Sequence, residues 1–388
     1  MPKKSRSSSQ DYLAQKFIIR EDFERFDQKY DMYNRAVWDE NVDSKNFFRS
    51  YDMSQCVFRD TEGFTQRDFA LRNSSWHLAD FTSELKEESE DRREGFLDYY
   101  TIQRSGSTVK AEFSAPEAAT RLIKRAATFL GAGLVGVCER DERWVYSKNF
   151  SRIKKESKHI TIPEELKHVV VIGVPMDREL CQTYFSALSG GASGLGYVHD
   201  LTVLLSLTQF IRNLGYKAIG SMNDTALSIP LAVQAGLGEY GRHGLLITKA
   251  YGPRVRLGKV FTDLPLLADS PVEFGVTHFC NICKRCSDAC PPRAIQAGEP
   301  RSEPPNKSGL GRLTKWSVDA ERCFKYWVDS NSECGICIRI CPYNQNYSKR
   351  IHRMALPLAG TFMRKVFLRL DIMMGYGKRL HPNEWWGT

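Results

Sequence analysis

The chain has 388 residues, 42% of them apolar and 26% charged, with 55 Lys and Arg against 46 Asp and Glu. That length supports two or three domains with a large core and excludes a small disulfide-stapled module. No run of about 18 apolar residues occurs, so no transmembrane helix is expected. Met1 to Gln10 is basic and serine-rich, but neither an apolar h-region nor a twin-arginine motif follows. The sequence as given therefore reads as cytoplasmic, with the processed form of an exported, membrane-associated protein as the alternative.

In chain order, residues 1–110 carry many aromatic rings without a clear period, among them Phe64 and Trp76. They predict an extension that packs over the next domain, where core packing is the expected role of any single ring and walling an apolar pocket the alternative, with the charged run from Glu84 to Arg93 as an exposed face. Ser114 to Glu117 has the pattern of a capping box with Pro116 in the first turn. Leu122, Ile123, Ala126, Phe129 and Leu130 follow at helical spacing, and Gly131 ends the helix. Leu134 to Cys138 and His168 to Val174 read as buried strands of an α/β sheet. Ser189 to Gly196 reads as a small-residue loop leading into Tyr197 at the start of an amphipathic helix that runs to Leu214. Such a loop before a helix is able to cradle phosphate, but it lacks the glycine spacing of a dinucleotide fingerprint.

Lys217 to Ile219 is a third short strand. A second glycine cluster, Ala235 to Gly241, marks backbone passing close to something. Gly244 to Thr248 and Val255 to Thr262 read as a strand pair joined at Tyr251 to Pro253, with Arg254 and Arg256 on one face. Ala359 to Met374 reads as a helix packing back on the protein. From Arg339 onward nine Lys or Arg face only Asp371 and Glu384. This surplus reads as a solvated face with contacts to a phosphate-bearing cofactor, and nucleic acid is not the expected partner.

Eight of the 11 cysteines lie between Cys280 and Cys341. Cys280, Cys283, Cys286 and Cys290 precede Pro291 in a C-x2-C-x2-C-x3-C-P run, the bacterial ferredoxin spacing for 4Fe–4S ligation. Cys323, Cys334, Cys337 and Cys341 precede Pro342. In this motif the fourth cysteine of each run ligates the other cluster. The expected sets are Cys280, Cys283, Cys286 and Cys341 for one cluster, and Cys290, Cys323, Cys334 and Cys337 for the second. Structural zinc uses paired C-x2-4-C ligands instead. The second run departs from the simple pattern in its long insert, Phe324 to Glu333. With Phe324, Tyr326 and Trp327 it reads as an aromatic loop reaching toward another site.

Ser221 to Pro230, Ala235 to Arg242, Gly244 to Thr248 and Tyr251 to Arg256 closely resemble the corrinoid-dependent reductive dehalogenases, and both cysteine runs fit that family's pattern. The resemblance covers roughly residues 110–345. It implies an α+β protein: a nitroreductase-like α/β corrinoid-binding domain followed by a ferredoxin-like domain with two 4Fe–4S clusters. The boundaries it suggests are 1–110 for the extension, 111–270 for the catalytic domain, 271–350 for the cluster domain and 351–388 for the C-terminal segment. It further implies a base-off cobamide, consistent with the lack of a D-x-H-x-x-G motif. By motif, Tyr197, Asn223 and Arg256 take the catalytic roles. Ser228, Pro230, Gly236, Leu237 and Gly238 fall on the corrinoid side, and Trp327, Phe64 and Trp76 on the substrate pocket.

The partners so implied are a small organohalide and an external electron donor, either reduced ferredoxin or flavodoxin or a quinol-linked chain. The protein is expected as a monomer or homodimer. Two other readings stand beside this one: an epoxyqueuosine reductase-like enzyme acting on tRNA, and a non-catalytic electron-transfer protein.

Overall fold

The computed structural model describes residues 18–90 and 105–388, and for 85–90 the backbone alone. The N-terminal basic segment, Phe17 and the end of the charged run beyond Glu90 lie outside the described residues.

Valine-rich and small-residue segments build the central sheet. Its strands are β1 (Leu134–Glu139), β2 (His168–Pro175), β3 (Ala218–Ser221) and β4 (Val255–Thr262). Their order is β1-β2-β4-β3, and every neighbouring pair is antiparallel. Successive side chains alternate between faces, so β2 feeds two separate cores. Val169 and Val171 pack on one side with Cys138, Phe261, Leu231 and Trp144. Val170 and Ile172 pack on the other with Val137, Val260, Ile123 and Leu204. Burial on both faces is why β2 is apolar throughout rather than alternating.

The second of these cores is closed by α2 (Pro116–Phe129) and α3 (Ala187–Asn213), and α1 (Gln66–Glu90) lies along α3. The first is closed by α4 (Ser228–Gln234) and by chain from both ends of the sequence. The capping box at Ser114 does not form: Ala115 is the N-cap, no side chain caps the helix, and Pro116 supplies the pre-set first turn.

The largest correction concerns Ser189 to Gly196. This stretch is not a loop but the first two turns of α3, capped by Ser186, whose hydroxyl accepts from the Ser189 N–H at 3.2 Å. Tyr197 therefore sits inside the helix. Glycine costs a helix interior about 1 kcal/mol relative to alanine, and packing accounts for its use here. A Cβ on Gly194 would stand 2.6 Å from Trp76 Cδ1 and 2.8 Å from the Trp76 backbone nitrogen. One on Gly190 would stand 2.6 Å from Glu333 Oε2 and 2.7 Å from Arg72 Cδ. The glycines let α1 press against the backbone of α3.

Two further expectations are corrected. Leu246–Ile247 does not pair with β4; it pairs with Glu239–Tyr240, while β4 runs between β2 and β3. The chain reverses through a tight Thr248–Gly252 turn, with Gly252 at φ +57°, and this detaches the two segments. The insert after Cys323 is helical, not a loop. Helix α5 (Ala320–Ser330) starts at Asp319, whose carboxylate accepts from the Arg322 N–H at 3.0 Å, and ends at left-handed Asn331.

Beyond the cysteines, α6 (Arg364–Met373) buries Phe367 against Phe279, with ring centroids 5.4 Å apart. The last residues return to α1, where Trp386 Nε1 donates to Asp68 at 2.9 Å. Among the described residues no helix is long and apolar enough to cross a membrane.

The α1–α3 contact gives a test with opposed effects. Gly194→Ala gains about 1 kcal/mol of helix propensity but overpacks against main chain, which costs about 1–3 kcal/mol. Net destabilisation is expected in thermal unfolding. A raised melting temperature would show that the two helices separate at no cost.

Candidate active site and cluster domain

Tyr197 lies at the meeting point of three elements. Trp76 of α1 covers one face of its ring, with centroids 4.6 Å apart and planes at 36°. The Arg256 guanidinium of β4 lies 3.8 Å from the ring centroid. Gly196 makes room for that arginine, since a Cβ there would stand 2.8 Å from Arg256 Cγ. Asn223 Nδ2 donates to the Tyr197 hydroxyl oxygen at 2.6 Å. The amide thus meets the phenol oxygen on its acceptor side.

Asn223 owes its position to the strained turn after β3. Thr225 is β-branched yet adopts φ +74°, a conformation that persists only where neighbours impose it. Here the Thr225 carbonyl accepts from the Tyr146 N–H at 2.9 Å, and Ser221 Oγ donates to the Asp224 carbonyl at 2.7 Å. Fully buried Lys259 donates to the Met222 carbonyl and, at 3.0 Å, to Ser228 Oγ. The Asn223 carbonyl also accepts from the Tyr146 hydroxyl at 3.1 Å.

Tyr197 and Asn223 open onto a cavity of about 510 Å³. One wall is the strained turn and α4, with Asp224, Ser228, Pro230 and Val233; the other is a strip from Ser308 to Ala320 that includes Leu313 and Lys315. The N-terminal extension adds Gln28, Asp31, Tyr33 and Asn34, and Trp144, Tyr146 and Phe150 close the end. No histidine, cysteine or methionine is among the lining residues. Burial pulls the Lys315 ammonium down to about 8.

The expected site residues thus divide. Tyr197, Asn223, Ser228 and Pro230 face the cavity, and Arg256 and Trp76 reach it through the Tyr197 ring. Gly236, Leu237 and Gly238 do not line it: Gly236 passes against the Ser270 carbonyl and Gly238 against that of Ile247. Trp327 packs with Phe47 and Phe324, and Phe64 with Phe69 and Phe185. The strip carrying Lys315 escaped notice in the sequence. Its only local signal is a lysine between Leu313 and Ser317 on one face of extended chain.

The eight thiols form two adjoining nests. Cys280, Cys283 and Cys341 are buried with Phe279, Trp316 and Tyr343. Cys286, Cys290, Cys323 and Cys337 gather beside Ala294 and Ile295. The thiols that act on Cys341 are Cys280, Cys283 and Cys286; those that act on Cys323 are Cys334 and Cys290. Burial raises Cys280 and Cys323 to about 12 and Cys334 to about 11, so the thiolates require a cationic metal to form at neutral pH. No three His, Cys, Asp or Glu side chains converge on a single ion among the described residues. A four-iron cube holds its thiolates further apart than the ~2.3 Å bonds around one zinc allow. The buried Arg242 guanidinium donates to the Cys280 carbonyl at 2.7 Å and stacks on Trp316.

Residues 151–266 match the family described as reductive dehalogenase subunit, and residues 279–344 match the 4Fe–4S double cluster binding domain. A tetrachloroethene reductive dehalogenase from Desulfitobacterium hafniense is 34% identical over 330 residues, covering 74% of this chain and 59% of that one. Residues 151–266 are a reductive dehalogenase family domain. The chain spans about three-fifths of the length of that relative. Solved reductive dehalogenases, one described as catabolic and one as B12-dependent, match with a TM-score of 0.72 at 22% identity. They cover 93% of this chain and 47% of theirs, and share the fold. An epoxyqueuosine reductase from Lactococcus garvieae is similar over a shorter reach, 29% identical over 218 residues. The double-cluster domain at 279–344 follows the reductive dehalogenase domain in the chain.

Two outcomes follow from this geometry. Lys259→Met strips the Met222 carbonyl and Ser228 hydroxyl of a buried donor, at a cost of about 1–3 kcal/mol. The denaturant midpoint falls accordingly, and an unchanged midpoint would show that the Asn223 turn holds itself. Cys323→Ser lowers bound iron from about eight to about four atoms per chain, measured after anaerobic reconstitution; retention of the full complement would remove Cys323 from the ligands.

Proposed function

We propose that this chain is a reductive dehalogenase that replaces carbon–halogen by carbon–hydrogen in a small organohalide. The overall change consumes two electrons and one proton and releases halide. The observation that carries the reading is the Tyr197 hydroxyl at the cavity wall, held by Asn223 and lying under the Arg256 guanidinium.

The cavity fits a base-off cobamide. Its aromatic and aliphatic walls suit a flat macrocycle, and Asn149 and Ser228 offer hydrogen bonds to amide substituents. Gly244 and Gly309 leave bare backbone at the edge, and no histidine, cysteine or methionine is among the lining residues to act as a lower ligand. A bound cobamide would supply the low-valent cobalt that breaks the carbon–halogen bond. Cys280, Cys283, Cys286 and Cys341 would hold one cluster, and Cys290, Cys323, Cys334 and Cys337 the other. The thiols that act on Cys341 and on Cys323 support this division, with Cys286 standing where the two nests adjoin. Electrons arrive singly from an external donor.

Tyr197 provides the proton. An ordinary tyrosine has a pKa of about 10, so it is protonated at neutral pH. When it gives up that proton, two groups stabilise the phenolate. The Asn223 N–H already points at the oxygen, and the Arg256 charge lies over the ring. Trp76 shields the ring from water.

The test is halide release by anaerobically purified protein loaded with cobamide, iron and sulfide, across chloro-, bromo- and fluoro-organic compounds. Tyr197→Phe is expected to slow turnover on the order of 10²- to 10⁴-fold with cobalt and iron content unchanged. No release by wild-type protein that holds cobalt and both clusters would reject the reading.

A further inference from the structure

Lys315 is the cavity residue that neither fold nor proton donation explains. It stands on an extended strip in which Leu313 and Lys315 line the cavity while Trp316 is buried against Cys280 and Cys283. The strip is fixed on both sides. Arg301 and Lys315 exchange two backbone hydrogen bonds, at 2.9 and 3.1 Å, and the Thr314 N–H donates to the Ile18 carbonyl at 3.1 Å. Lys315 is therefore not a mobile surface lysine that happens to point inward.

Its ammonium has one partner among the described residues, the Ser317 hydroxyl at 3.0 Å. No carboxylate lies within ion-pair distance of it among those residues. The carboxylates that line the cavity, Asp31 and Asp224, accept from the Tyr33 and Thr225 N–H groups, and Tyr240, Gly244 and Val318 line it too. The Tyr240 hydroxyl is engaged with the Trp316 carbonyl at 2.8 Å, and Gly244 is held close to Val318. Neither tyrosine nor glycine supplies a counter-charge. A lysine so placed carries three donors, one of them used, and burial works against its charge. An anion that arrives with the ligand would offset that burial and take up the remaining donors.

This argument rests on the cobamide assignment above and narrows it. The corrin's amide substituents are neutral. The anionic substituent of a complete cobamide is the phosphodiester that links the ring to its lower nucleotide. We propose that Lys315 is the phosphodiester-binding residue of this cavity, a positioning residue that selects complete cobamides over corrinoids lacking the nucleotide loop. Tyr197 and Asn223 serve the reacting atoms, and Lys315 anchors the nucleotide tail.

The test is binding, not turnover. Anaerobically reconstituted protein containing both clusters is titrated with hydroxocobalamin, with cobinamide, which lacks the phosphate, and with cobinamide phosphate. Retained corrinoid is read from its visible absorbance after gel filtration. Wild-type protein is expected to bind cobalamin and cobinamide phosphate more tightly than cobinamide. Lys315→Met should weaken the two phosphate-bearing ligands on the order of tenfold to a hundredfold and leave cobinamide unchanged. Lys315→Arg, which keeps the charge, should restore most of the preference. Unchanged cluster absorbance in both variants controls for folding.

Equal losses for all three ligands would mean that Lys315 contacts the ring rather than the phosphate, and would overturn the proposal while leaving the cobamide reading intact. So would undiminished cobalamin binding by Lys315→Met. Wild-type protein that retains none of the three would sink the cobamide assignment itself, and the role of Lys315 with it.

Discussion

The close approach of α1 to α3 is the constraint on which the rest depends. Side-chain-free positions on α3 bring the main chain of α1 near enough for Trp76 to lie on Tyr197, and Gly196 opens the other side of that ring to Arg256. A tyrosine gripped between an indole and a guanidinium has little rotational freedom. Its hydroxyl therefore points where the Asn223 amide and the cavity meet. The cost in helix propensity is set against the orientation of one phenol.

The sheet gives that arrangement its rigidity. Because β2 contributes alternate side chains to two cores, β4 and the Asn223 turn are braced from both faces. Arg256 pairs with Val174 in the ladder, and buried Lys259, three residues further along β4, holds the Met222 carbonyl. One strand thus carries both the cation over the tyrosine and the cation beneath the turn. Strain at Thr225 persists because so many bonds converge there.

Much of this was legible in the sequence, and what was not has physical reasons. The cysteine runs were readable because thiolate spacing within a few residues is local chemistry. The strands at Leu134 and His168 were readable because burial on both faces leaves an uninterrupted apolar run. Ser189 to Gly196 misled because glycine and serine favour loops in isolation; only Trp76 and Arg72, more than a hundred residues away, make those glycines fit a helix. The insert after Cys323 misled in the same way, since its rings suggested a reaching loop whereas Asp319 and Asn331 cap a helix that packs on Phe47. Gly236 and Gly238 signalled close approach correctly but not its object, which is protein carbonyl. Lys315 gave little sequence signal, because which groups surround an ammonium is a property of space.

The cavity walls come from residues near 30, from 144 to 150, from 223 to 244 and from 308 to 320. No partial chain shorter than 320 residues contains them all, and the wall that bears Lys315 is synthesised long after the one that bears Gln28. Folding domain by domain during synthesis therefore yields half a container. The same late stretch supplies Cys323, Cys334, Cys337 and Cys341, so the second run of thiols and the last wall of the cavity emerge together. The container and the second run of thiols are therefore complete only once residue 341 has been made.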